Sequence, residues 1–110
     1  MIDVPLELTQ ALLDTGDEGC PVSRAAQAAI PGAMVTVSLG HGRLWIDAPG
    51  LHAAVDLPWD VRNIINALSH GYAVTPRTLT LPIPREIASI PGLLADETLL
   101  APPELEHMPL

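Results

Sequence analysis

A chain of 110 residues has room for one domain and one hydrophobic core, and an apolar content of 48% sets it apart from disordered chains. Its 13 acids stand against 5 bases, all of them Arg, for a formal net charge of -8, which argues against the clustered Lys and Arg of a nucleic-acid footprint. The single cysteine, Cys20, excludes an internal disulfide, and no apolar run approaches the roughly 20 residues of a membrane span.

Pro5 to Asp14 reads most simply as a short helix, because Pro5 suits the first helical position and Leu8, Ala11 and Leu12 then share a face. The rival pattern is a strand: Ile2, Val4, Leu6 and Leu8 alternate with Asp3, Pro5, Glu7 and Thr9, and Pro5 would confine that strand to an edge. Thr15 to Pro21 is a loop punctuated by Gly16 and Gly19. Ser23 is placed to cap a second helix running to about Ile30, with Val22, Ala25, Ala26, Ala29 and Ile30 as its apolar stripe and Pro31-Gly32 as its stop.

The clearest strand signal follows. Val35, Val37 and Leu39 alternate with Met34, Thr36 and Ser38, Gly40-His41-Gly42 supplies a turn, and Arg43 to Asp47 returns with Leu44 and Ile46 on one face. After Pro49-Gly50, Leu51, Ala53, Val55 and Leu57 alternate with His52, Ala54 and Asp56. The pattern predicts a three-stranded meander over residues 33–57 with one apolar face. Pro58 to His70 predicts a helix, its stripe Val61, Ile64, Ile65 and Leu68, with Gly71 placed to end it. A further strand is expected near residues 78–83, held to a sheet edge by Pro76, Pro82 and Pro84. Arg85 to Ile90 and Gly92 to Leu100 read as short helical turns. With no Phe, one Tyr and two Trp, the core has to be aliphatic.

The expected fold is α+β. A small antiparallel sheet, the meander of residues 33–57 plus a strand near 78–83, packs with two to four short helices in one domain over residues 1–101. A Pro-rich tail covers residues 102–110. Ile-Pro-Gly occurs at 30–32 and again at 90–92, without the flanking match that a duplication requires.

Strand alternation says something about the tryptophans. If Leu44 and Ile46 face the core, Trp45 shares the opposite face with Arg43 and Asp47. Trp59 falls nearly opposite the Val61–Leu68 stripe at about 100° per residue. Exposed Trp is enriched at binding hot spots. The competing expectation is that terminal helices cover the second face of the sheet, and that Trp59, in the first turn of its helix, packs on the preceding loop.

Leu12-Leu13-Asp14-Thr15-Gly16 resembles the active-site signature of retropepsin-like aspartic peptidases. The resemblance implies a homodimer in which the two Asp14 carboxylates share a proton and activate water, with Thr15 and Gly16 shaping the loop. The chain departs from the family at Asn66, where a glycine should follow Ile64-Ile65, and at Asp17, where a small residue should follow the triplet. The helix, turn, helix and hairpin order over residues 5–47 resembles a winged helix, but its second helix carries one base, Arg24. The Gly42-Arg43-Leu44 hairpin resembles that of a small docking domain from peptide-synthase assembly lines, at three residues. None of His41, His52, His70 and His107 has metal-ligand spacing with another or with Cys20, so no metal and no cofactor is expected.

These readings favour a small acidic cytoplasmic protein–protein interaction module, a regulator, inhibitor or docking adaptor without catalytic activity. Its contact residues would be Trp45, Arg43, Asp47, Trp59, Asp96 and Glu97. Residues 1–20 and residues 86–110 each hold five acids and no base, which suits a partner with a basic surface and also keeps an apolar protein soluble. Neither nucleic acid nor membrane is an expected partner, and a homodimer is left open. The alternative is the aspartic peptidase, with Asp14, Thr15 and Gly16 as its site.

Overall fold

The computed structural model describes residues 1–14, 20–38 and 40–100; Thr15, Gly16, Leu39 and the Pro-rich tail lie outside the described residues. The class is α+β: two small antiparallel sheets, of two and three strands, with four short helices among the described residues.

The amino-terminal segment is a strand followed by a helix. Strand β1 (Ile2–Leu8) buries Ile2, Val4, Leu6 and Leu8 and turns Asp3 and Glu7 to solvent, so period-2 alternation prevails over the helical reading of Pro5 to Asp14. Thr9 makes the break. Its Oγ1 accepts from the Leu12 N–H at 3.2 Å, the bond of a helix N-cap, and helix α1 (Gln10–Asp14) begins beyond it. Helix α2 (Pro21–Ala29) starts three residues earlier than a Ser23 cap requires. Pro21 takes the first turn, where its fixed φ is already helical and its missing N–H leaves nothing unpaired. The face that α2 buries is the expected one: Val22, Ala25 and Ala26, with Ile30 just beyond.

Strands β2 (Met34–Ser38), β3 (Arg43–Ala48) and β4 (Leu51–Asp56) form the meander in the order β2-β3-β4. Helix α3 (Trp59–Ser69) follows with Val61 and Ile65 buried. It closes in a Schellman motif, in which the Tyr72 N–H bonds to the Ala67 carbonyl at 3.0 Å and the Gly71 N–H to the Leu68 carbonyl at 3.1 Å.

Strand β5 (Arg77–Ile83) does not join the meander. It pairs antiparallel with β1 over seven residues, from Ile2 opposite Ile83 to Leu8 opposite Arg77. Pro5 and Pro82 stand in rows of the same parity, Pro5 opposite Thr80 and Pro82 opposite Asp3. One choice of hydrogen-bonded rows therefore spares both missing N–H groups, and a two-stranded ribbon places both prolines at an edge, as a proline in a strand requires. Helix α4 (Arg85–Ala88) and a 3₁₀ turn (Glu97–Leu100) complete the described chain.

A single aliphatic core joins the layers. Leu44 and Ile46 of β3, Leu81 and Ile83 of β5, Val22 of α2 and Val61 of α3 are all at or below 1% exposure within one cluster. The apolar face of the meander and the apolar face of the ribbon thus meet over the same helices.

Candidate interaction surface

The meander has an inner and an outer face, and among the described residues no helix covers the outer one. Register places its residues in three cross-strand rows. Ser38, Arg43 and Asp56 form the first, Thr36, Trp45 and Ala54 the second, and Met34, Asp47 and His52 the third. Arg43, Thr36, Met34, His52 and Asp56 are exposed, and Met34 reaches 70%.

Trp45 stands at the centre of this face and is half-buried. Its ring stacks on His52, with centroids 5.9 Å apart and planes inclined by 21°. His52 Nδ1 is held in turn by Asp47 Oδ1. Arg43 Nε lies 3.5 Å from Asp56 Oδ1 in a surface ion pair that contributes little to stability. The imidazole, the carboxylate and the neighbouring strands fix the indole in place, so a partner docking on this face would lose little side-chain entropy at Trp45.

Arg43, Trp45 and Asp47 are therefore brought together as strand parity requires. Met34, Thr36, His52 and Ala54 complete their surface, and the alternation in β2 and β4 carries the signal for them. Trp59 is 74% exposed, which overturns the expectation that it packs on the preceding loop. At the first position of α3 the core stripe turns away from it, and Pro58, which precedes it, is in extended backbone.

The two remaining predicted contact residues serve the 3₁₀ turn. Asp96 accepts from Thr98, from its N–H at 3.1 Å and from its hydroxyl, and Glu97 Oε1 accepts from the Gly92 N–H at 3.3 Å. Asp96 lines an apolar groove of about 360 Å³ with Val4, Pro5, Leu12, Ala25 and Leu99, and this groove shares no residue with the outer face of the meander.

Asp14 ends α1. It is exposed, and its Oδ1 accepts from Gln10 Nε2 at 2.8 Å, one helical turn back. Thr15 and Gly16 lie outside the described residues, and Ile64-Ile65 belong to helix α3. Cys20 precedes α2 and is half-buried. Among the described residues no three His, Cys, Asp or Glu side chains cluster as metal ligands, and no helix is long and apolar enough to cross a membrane. No protein-family model, no curated protein and no solved structure matches the chain.

Proposed function

We propose that the protein works by contact, as a small acidic interaction module, and that the outer face of the meander is its docking surface. The observation that carries this reading is the uncovered sheet face with Trp45 fixed at its centre among Met34, Arg43, Asp47 and His52. A half-buried aromatic braced by neighbours and ringed by polar groups is the composition of a binding hot spot. Regulator, inhibitor and docking adaptor are the roles compatible with such a face, in the cytoplasm, towards a partner protein whose basic groups meet Asp47 and Asp56. The peptidase reading draws less support, because Asp14 ends a five-residue helix, bonded within its own turn.

Affinity capture from the source organism, with wild-type, Trp45→Ala and Asp14→Asn proteins side by side, tests the proposal. The captured partner should be retained by the wild type and by Asp14→Asn. Trp45→Ala should weaken its binding by about 30-fold, the scale of a hot-spot truncation, with an unchanged far-UV circular dichroism spectrum. Equal capture by all three would end the proposal, and so would cleavage of peptides by the wild type that Asp14→Asn abolishes.

A further inference from the structure

The two edges of the meander are treated differently, and the difference points beyond the sheet face. On the β2 side, the Val35 N–H is taken by Gln27 Oε1 at 3.0 Å, while Gln27 Nε2 donates to the Ile30 and Ala33 carbonyls at 3.1 and 2.8 Å. A side chain of α2 thus occupies that edge. On the β4 side no further strand pairs among the described residues.

The groups that β4 leaves open follow from the ladder. The Leu57 N–H donates to the Gly42 carbonyl at 2.9 Å, which makes Gly42–Leu57 a bonded row. Counting by twos, Leu44–Val55, Ile46–Ala53 and Ala48–Leu51 are bonded rows as well. The Val35 bond to Gln27 agrees, since Ile46 then turns to β4 and Val35 away from β3. The intervening residues of β4, His52, Ala54 and Asp56, therefore direct their backbone N–H and C=O groups to the free edge. A groove of about 530 Å³ runs beside it. The consecutive residues Ala54 to Pro58 line it on the β4 side, and Met1, Arg43, Pro82 and Pro84 complete its lining, so the end of the β1–β5 ribbon also borders this groove.

We propose that this edge is filled by a second copy of the chain, β4 against β4 in antiparallel register about a two-fold axis at Ala54, giving a continuous six-stranded sheet. Charge chooses this occupant and this register. Ala54 meets Ala54, and His52 stands opposite Asp56 of the second copy, twice by symmetry. Across the outer face the row then reads Arg43, Asp56, His52 of the second copy, Asp47 of the second copy, a base alternating with an acid throughout. On the inner face Val55 falls beside Ala53 of the second copy and Leu57 beside Leu51, all apolar. The Pro49-Gly50 turn of the second copy reaches the start of α3, where Trp59 is exposed. Centring the axis on His52 or on Asp56 would instead oppose like groups.

A strand-to-strand contact is smaller than a standard interface, so the dimer is expected to dissociate on the order of 10–100 μM. Sedimentation velocity from about 5 to 500 μM tests it. The wild type should shift from monomer to dimer across that range. His52→Asp alone should stay monomeric, because it sets carboxylate against carboxylate in its own dimer, and so should Asp56→Arg alone, because a guanidinium, which only donates, replaces the carboxylate that faces His52. An equimolar mixture of the two should associate again, since the introduced carboxylate meets the introduced guanidinium and the native Asp56 meets the native His52. Circular dichroism confirms that each variant is folded, and Ala54→Pro, which removes an edge N–H, should also stay monomeric. A wild type that is monomeric at 500 μM, a dimer indifferent to both charge substitutions, or a mixture that fails to associate would each overturn the proposal. Trp45→Ala should leave self-association in place, so this inference and the partner-docking reading fail separately.

Discussion

Gly32 has no room for a side chain. A Cβ there would stand 2.3 Å from the Gly92 carbonyl oxygen and 2.6 Å from Leu93 Cα, both backbone atoms that cannot rotate aside. Its own N–H donates to the Leu93 carbonyl at 3.0 Å, and the Ala95 N–H returns a bond to the Ala29 carbonyl at 3.0 Å. The two Ile-Pro-Gly tripeptides are thus neighbours in space, with the first turn pressed on the second. Gly42 is constrained differently. Its φ of 63° is a left-handed value, and the atoms nearest its missing Cβ belong to the flexible Arg62 guanidinium, at 3.0 Å. Gly32→Ala should therefore cost about 2–3 kcal/mol by overpacking against backbone. Gly42→Ala should cost about 1–2 kcal/mol by backbone strain alone. Urea midpoints of the two variants check the order, and a Gly32→Ala protein as stable as wild type would show that the two turns separate readily.

Among the elements, Gln27 is the side chain that ties a helix to a strand edge. Gln27→Leu keeps its bulk and removes three hydrogen bonds, leaving the Val35 N–H and the Ile30 and Ala33 carbonyls without that partner. A loss of about 2 kcal/mol is expected, with faster hydrogen exchange at the Val35 amide; an unchanged Val35 exchange rate would refute the role. Much of the element pattern was legible beforehand for simple reasons. Alternation marked both turns of the meander and the face on which Arg43, Trp45 and Asp47 sit, and a four-residue stripe marked α3. Other features depended on partners that no local window contains. The alternation of Ile2 to Leu8 competed with a helical reading until β5 supplied seven cross-strand neighbours. The separation of β5 from the meander is a pairing choice between distant segments. Trp59 stood between two readings, contact residue and loop-packed ring, because its burial depends on how the chain enters α3 from Pro58. The open edge of β4 required knowing which strand is outermost and which rows are bonded, and neither is a property of composition or period.

At the scale of the whole molecule, the two sheets share no hydrogen-bonded strand, yet Leu44 and Leu81, one from each, are both fully buried in the same aliphatic cluster. A ribbon of two strands is marginal in water without a face to pack on, so β1 and β5 depend on the meander and helices for their stability. Unfolding should therefore be one transition. Both tryptophans report on the meander and α3, whereas far-UV circular dichroism reports on every element, the tryptophan-free ribbon included. Their urea curves should coincide. Leu44→Ala and Leu81→Ala should each remove about 3 kcal/mol, a large share of the 5–15 kcal/mol of a domain, and each should shift both probes by the same amount although only Leu44 lies in the tryptophan-bearing sheet. If Leu81→Ala lowered the circular dichroism midpoint and left the fluorescence midpoint in place, the ribbon and the meander would be separate folding units. The shared core would then be a contact between them and not the source of their stability.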